Sequence, residues 1–463
     1  MIAAFQKYMM DGIIGPGATL GSEVFLMNIT RRQFLVGGSV ALAALTGGRI
    51  GSLAFAQDNG DGRATGTDEI LVLVFLRGGC DGLSLVAPFD DQNYTNARFN
   101  LIIPPDQALV IDPQNSTFTG SVGLHPRAGA LQQLYAAGDL AIVHACGLTE
   151  DTRSHAEATR AIERGNPDDP TITSGWLARH LQCAHPDGLL PTLVPMTGIP
   201  AVLQGETDAV TMTTVESYGE VRAHWRYRDM MLTTLKQMYS GAGYVNSAGM
   251  RTLETLEMLK SHDLTYTPDV SYPSGLGDAL KRVAQIVKLD LGLHVATVDF
   301  DGWDTHAYQG EYGSGYLATL VTTLADSLHA FYNDLAAYRN RLTVVVMSEF
   351  GRSLWANPSQ GTDHGRGGVM LVLGGNVNGG KIYGNWPGLA GEDLIQGRDL
   401  RVTTDFRTIL SEIVVRRLGN PRLGCVFPGF DRYEPLGVVS GTDQEIDYRP
   451  PGNRSIYLPL VTR

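Results

Sequence analysis

Five short segments gather the side chains that hold cations and anions, and each sits at the end of an apolar run. Arg77-Gly78-Gly79-Cys80-Asp81-Gly82 follows the run 70–76, and Asp151-Thr152-Arg153-Ser154-His155-Ala156-Glu157 comes a short loop after the run 140–144. Asp301-Gly302-Trp303-Asp304-Thr305-His306 follows 294–300, Ser348-Glu349-Phe350-Gly351-Arg352 follows 342–347, and Thr362-Asp363-His364-Gly365-Arg366 precedes 369–373. Brought together, such acids and histidines repel or desolvate one another unless a divalent cation neutralises them. Oxygen with imidazole suits zinc, manganese, calcium or magnesium, as one ion or two. Arginine in the same cleft would fork onto the oxygens of a phosphate or sulfate. Arg77, Arg153, Arg352 and Arg366 are the candidates, and Arg77, Arg153 and Arg366 read equally as ion-pair partners of the same acids.

The elements that would position these segments are legible as patterns. The five runs are short, continuous and β-branched, which predicts strands buried on both faces of a mostly parallel sheet. Leu317, Leu320, Leu324, Leu328, Phe331 and Leu335 recur every three or four residues, the spacing of one helix face. Strand, helix, strand order gives a doubly wound α/β fold with helices on both faces, and ligands there bind outside the carboxyl ends of the strands. One domain over 69–463 is expected, with an insertion or cap at about 195–272 that includes His224-Trp225-Arg226-Tyr227-Arg228. The glycines at 374–380 read as a hairpin turn; they fit no phosphate-binding loop, and the GxSxG elbow of esterases is absent.

Thr30-Arg31-Arg32-Gln33-Phe34-Leu35 places an arginine pair before an apolar run ending at Leu45, the layout of a twin-arginine export signal. The run is too short for a stable membrane anchor. Ala54-Phe55-Ala56 predicts cleavage before Gln57, so 1–56 is read as signal, with translation starting at Met27, and 57–68 as a polar linker. The expected location is periplasmic or secreted, with the twin-arginine translocase as partner during export. A net charge of -12 argues against nucleic acid. The four cysteines, Cys80, Cys146, Cys183 and Cys425, match no metal-binding spacing; one pair could oxidise after export, but four buried free thiols are the expectation.

The motifs LRGGCDGLSLVAP, RSH, GWDTH, MSEFGR and GTDHGRGGVMLVLGG resemble the bacterial, mostly secreted family catalogued as domain of unknown function 1501. That family is similar in motif order to the alkaline phosphatase and sulfatase superfamily. The resemblance implies an alkaline phosphatase-like fold, a metal site, a hydroxyl nucleophile at a helix start, and hydrolysis or transfer of phosphate or sulfate esters. It makes Asp81, Asp304, His306, Glu349 and His364 the metal-binding positions, with Asp363 beside His364, and Ser154 the nucleophile. Two departures stand out: the tight spacing Asp304-x-His306, and Phe350 where a histidine would follow the second acid. Plainer readings exist for three positions. Asp81 could cap a turn, Ser154 could form a capping box with Glu157, and Glu349 could pair with Arg352. The expected substrate is an anionic small-molecule or glycan ester. The alternative is a secreted, non-catalytic metal- or anion-binding protein of the same fold that assists envelope or polysaccharide processes.

Overall fold

The computed structural model describes residues 68–450 apart from 114–116, 119, 185, 187, 189, 207–208, 216–227, 242–243 and 262–263. The export signal, the linker up to 67 and positions 224–227 of the aromatic and basic patch lie outside the described residues. All five apolar runs form strands of one sheet. They are β1 (Ile70–Leu76), β2 (Leu140–Gly147), β5 (Val295–Phe300), β6 (Leu342–Ser348) and β9 (Gly368–Gly374). Short strands β3 (Thr192–Val194), β4 (Ala209–Thr211) and β10 (Lys381–Tyr383) complete the order β10-β2-β9-β6-β1-β5-β3-β4, and β11 (Thr404–Asp405) also pairs with β2. β7 (Arg352–Ala356) and β8 (Thr362–His364) form a separate antiparallel pair.

The principal helices described are α1 (Gln92–Arg98), α2 (Gly129–Ala136), α3 (His155–Arg164), α4 (Trp176–Ala184), α5 (Arg228–Tyr239), α6 (Tyr244–Ser261), α7 (Leu276–Lys288), α8 (Tyr316–Asp334) and α9 (Phe406–Arg416). Successive strand residues face opposite ways. Val72, Val74 and Leu76 therefore pack with Leu280 and Val283 of α7 and Leu324 of α8. Leu71, Leu73 and Phe75 pack with Ile162 of α3, Trp176 of α4 and Ile409 of α9. The fold is the doubly wound, mostly parallel α/β sheet, with helices on both faces.

Three details differ from expectation. β9 runs antiparallel to both β2 and β6. Its first residue therefore lies at the carboxyl ends of its neighbours, and the motif before it reaches the same mouth as the motifs after the others. The glycine stretch after β9 is not a hairpin, because β10 pairs in parallel with β2 on the side away from β9. Cys183 and Cys425 form a disulfide, joining α4 to the chain after α9, while Cys80 and Cys146 are free and buried. Within 195–272, β4 extends the sheet edge, and α5 is tied to α6 by a Lys236–Glu257 ion pair of 2.6 Å.

Candidate metal centre

The turn after β1 is built for close approach. Gly78 and Gly79 have φ of 121° and 74°, and a side chain on Gly78 would collide with the backbone of Asp304. Arg352, fully buried, stitches this turn to the others. Its Nε donates to Gly79 O at 2.7 Å, Nη1 to Thr362 O at 2.9 Å, and Nη2 to Trp303 O at 3.1 Å and Asp304 Oδ1 at 2.5 Å. It fixes Asp304 and has no face for substrate, so the anion-binding role expected of Arg352 is not what its position provides; nor does it pair with Glu349.

Three imidazoles surround the Asp304 carboxylate, which is about half exposed. His155 Nε2 lies 3.5 Å from Asp304 Oδ2, while His306 Nε2 and His364 Nε2 lie 3.3 and 3.5 Å from Oδ1. The Nε2 atoms of His306 and His364 are 2.8 Å apart. Each ring is held from behind through Nδ1. His155 donates to Glu349 Oε1 at 2.8 Å, His306 to Asp363 Oδ1 at 3.2 Å, and His364 to the Arg153 carbonyl at 2.7 Å. An acceptor at Nδ1 places the proton there and leaves Nε2 with a lone pair. Three lone pairs and a carboxylate converging on one point repel one another unless something positive lies between them. The Nε2 atoms of His155 and His364 each stand 3.5 Å from an Asp304 oxygen, close to the roughly 3.3 Å between two ligand atoms about 2.05 Å from a tetrahedral metal. Nε2 of His155 is buried without a hydrogen-bond partner, which points to the same missing charge. His155, Asp304 and His364 offer ligand atoms within 4.8 Å of one another.

Electrostatics agree with this arrangement. Burial works to raise the Asp304 pKa, but the hydrogen bond and charge of Arg352 hold it below the usual carboxylate value. Burial pushes the His364 imidazole down, helped by the nearby Arg352 charge, which favours its neutral, ligating form.

The structure redistributes the expected residues. Asp304, His306 and His364 come together. Asp81 does not join them: it is buried in a two-pronged ion pair with Arg98 of α1, Nη1 to Oδ2 at 2.5 Å and Nη2 to Oδ1 at 2.9 Å, and it also accepts from Ser84 and Gln309. Glu349 and Asp363 stand behind histidines. Glu349 also accepts from Gly78 N and Ser348 Oγ, and Asp363 from Asn357 and Arg398, so both orient rings and neither turns toward the convergence point. The other arginines are committed to acids: Arg77 to Glu163 and Asp299, Arg153 to Asp399, and Arg366 to Asp151. Ser154 is exposed at the N-cap of α3, beside His155, with no capping hydrogen bond; Glu157 accepts from Thr152 Oγ1 instead, so the capping box does not form. The sequence motifs assign no role to His155. Its signal was a histidine opening a helix inside one of the five polar segments.

Residues 279–417, which include Asp304, His306, Glu349 and His364, match the model of a family described as protein of unknown function (DUF1501). No curated protein matches the chain. Among solved structures, the chain is similar to the C-terminal periplasmic domain of EptC from Escherichia coli in complex with Zn, at 11% identity and a TM-score of 0.30 over 70% of this chain and 77% of that one. It is also similar to a protein in the alkaline phosphatase superfamily from Vibrio parahaemolyticus, at 10% identity and a TM-score of 0.31 over 73% and 68%. A third is the alkaline phosphatase of the Antarctic bacterium TAB5, at 12% identity and a TM-score of 0.27 over 66% and 92%.

Proposed function

We propose that this protein is an exported, metal-dependent hydrolase or transferase acting on a phosphate or sulfate ester. The observation that carries the reading is the set of three Nδ1-anchored histidines whose Nε2 atoms converge on Asp304. Imidazole with carboxylate suits a single zinc ion better than calcium or magnesium, which prefer all-oxygen sites; His155, Asp304 and His364 would hold it with a fourth position open, and His306 stands beside them. Bound there, the ion supplies Lewis acidity toward an ester oxygen and stabilises negative charge. Ser154 is the candidate nucleophile: its hydroxyl stands at the N-terminus of α3, where the helix dipole and peptide N–H groups without intrahelical partners favour an alkoxide and an anionic ester. With Arg77, Arg153, Arg352 and Arg366 engaged elsewhere, those peptide groups take over the steadying of the ester oxygens.

Elemental analysis of protein purified without added metal, paired with turnover of aryl phosphates and aryl sulfates, tests this. The expected result is about one zinc per chain, turnover lost on chelation, and turnover lost in Ser154→Ala with the metal retained. Metal-free protein, or turnover indifferent to chelators, would overturn it. A second reading, a non-catalytic metal-binding protein of the same fold, is favoured by the commitment of all four candidate arginines to other partners. Bound metal without turnover on any ester would select it.

A further inference from the structure

The loop after His306, the end of α1 and strand β7 hold aromatic rings out into solvent. Tyr308 is two residues past His306 and 78% exposed, and Phe99 is 70% exposed; Tyr312 and Trp355 are each nearly half exposed. Phe99, Tyr308 and Tyr312 have φ of 43°, 50° and 47°, the left-handed region that bulky residues avoid. Nothing local requires aromatic residues there, since glycine would adopt the same backbone without strain. Hydrogen bonds enforce the conformation. Tyr308 N donates to Ser359 O and Gln309 N to Gln360 O, in the turn between β7 and β8, and Tyr312 N donates to Asn100 O beside Phe99. From below, the buried Gln309 side chain donates to Asp81 and accepts from Thr305 and Thr362. Trp355, on β7, is fixed by its Nε1 donating to Gly397 O at 3.1 Å. Backbone of this kind persists where the surroundings enforce it, and it clusters at functional sites.

We infer that these rings form a stacking platform for the sugar rings of a glycan whose esterified end reaches the metal centre. This rests on the ester-transforming reading above and names its substrate class. Among the described residues none of the four rings stacks on another, so each offers its own exposed flat face to a sugar ring. The flanking sequences Ala-Tyr-Gln-Gly-Glu-Tyr-Gly-Ser-Gly-Tyr (307–316) and Trp-Ala-Asn-Pro-Ser-Gln-Gly (355–361) hold amides and hydroxyls, one acid and no Lys or Arg. Such a rim complements uncharged, hydroxyl-rich rings and offers nothing to a polyanion's backbone.

The test is calorimetry on the full chain, in the presence of chelator, with neutral hexasaccharides of galactose, glucose and N-acetylglucosamine. At least one should bind, and Tyr308→Gly and Trp355→Ala should each weaken binding by about tenfold or more. Tyr308→Gly relieves the left-handed strain, so its Tm should equal or exceed the parent's, which separates lost binding from unfolding. No binding by the parent to any of the three, or unchanged binding in both variants, overturns the inference; capture of a protein partner by this face without glycan binding does so too. Because chelator is present throughout, failure of the metal reading leaves this result untouched, and failure here leaves the metal content untouched.

Discussion

Each imidazole of the centre presents Nε2 because an oxygen stands behind its ring, and the three oxygens come from different places: Glu349, Asp363 and the Arg153 carbonyl. Glu349 is the more buried of the two carboxylates, so its loss should be felt most directly as loss of ring orientation. Glu349→Ala should weaken zinc affinity by roughly 10–100-fold, measured by competition with a chromophoric chelator; unchanged affinity would show that His155 needs no backing. At this scale the sequence was partly readable. Asp304, His306 and His364 stood out because acids and histidines crowd the strand ends. His155 does not stand out, because Ser154 before it carries the pattern of a nucleophile at a helix start. Asp81 was misplaced because its partner Arg98 lies in an ordinary polar helix, where nothing in the pattern announces a buried cation.

Elements decide which of these side chains meet. Continuous apolar runs announce the sheet, but local pattern does not encode strand direction, and the reversal of β9 is not legible. The buried Asp81–Arg98 pair belongs here, because it ties the turn after β1 to α1, and through Arg98 donating to Leu354 O and Ser353 O it ties both to β7. Burial works to raise the Asp81 pKa, yet the Arg98 charge and hydrogen bonds hold the carboxyl below its usual value. Arg98→Met would leave that carboxylate uncompensated, a loss of about 3–5 kcal/mol. Urea denaturation should show it, and the double variant with Asp81→Leu should recover much of the difference. A single variant as stable as the parent would mean that the pair contributes nothing.

Across the whole molecule, several histidines unconnected with the centre are buried and neutral. Burial lowers His144, His125 and His294 from the usual 6.5 to about 4, and the geometry agrees: His144 Nδ1 accepts from Ala145 N, and His125 Nδ1 from Arg127 N. Between pH 6.5 and 4 the unfolded chain binds protons that the native state refuses, so stability is full above that window and falls as pH drops through it. Each such group contributes up to about 1.4 kcal/mol per pH unit there. A Tm series from pH 7 to pH 4 should decline steadily; a flat profile would mean these rings protonate without loss of fold. The cystine has a consequence of its own. Cys183 and Cys425 are 242 positions apart, and the chain between them carries Asp304, His306 and His364, whereas His155 lies outside it. A protease that cuts the backbone once anywhere between those cysteines cannot release a fragment. The nicked polypeptide should migrate as a single species on a non-reducing gel and fall into two bands once dithiothreitol is added.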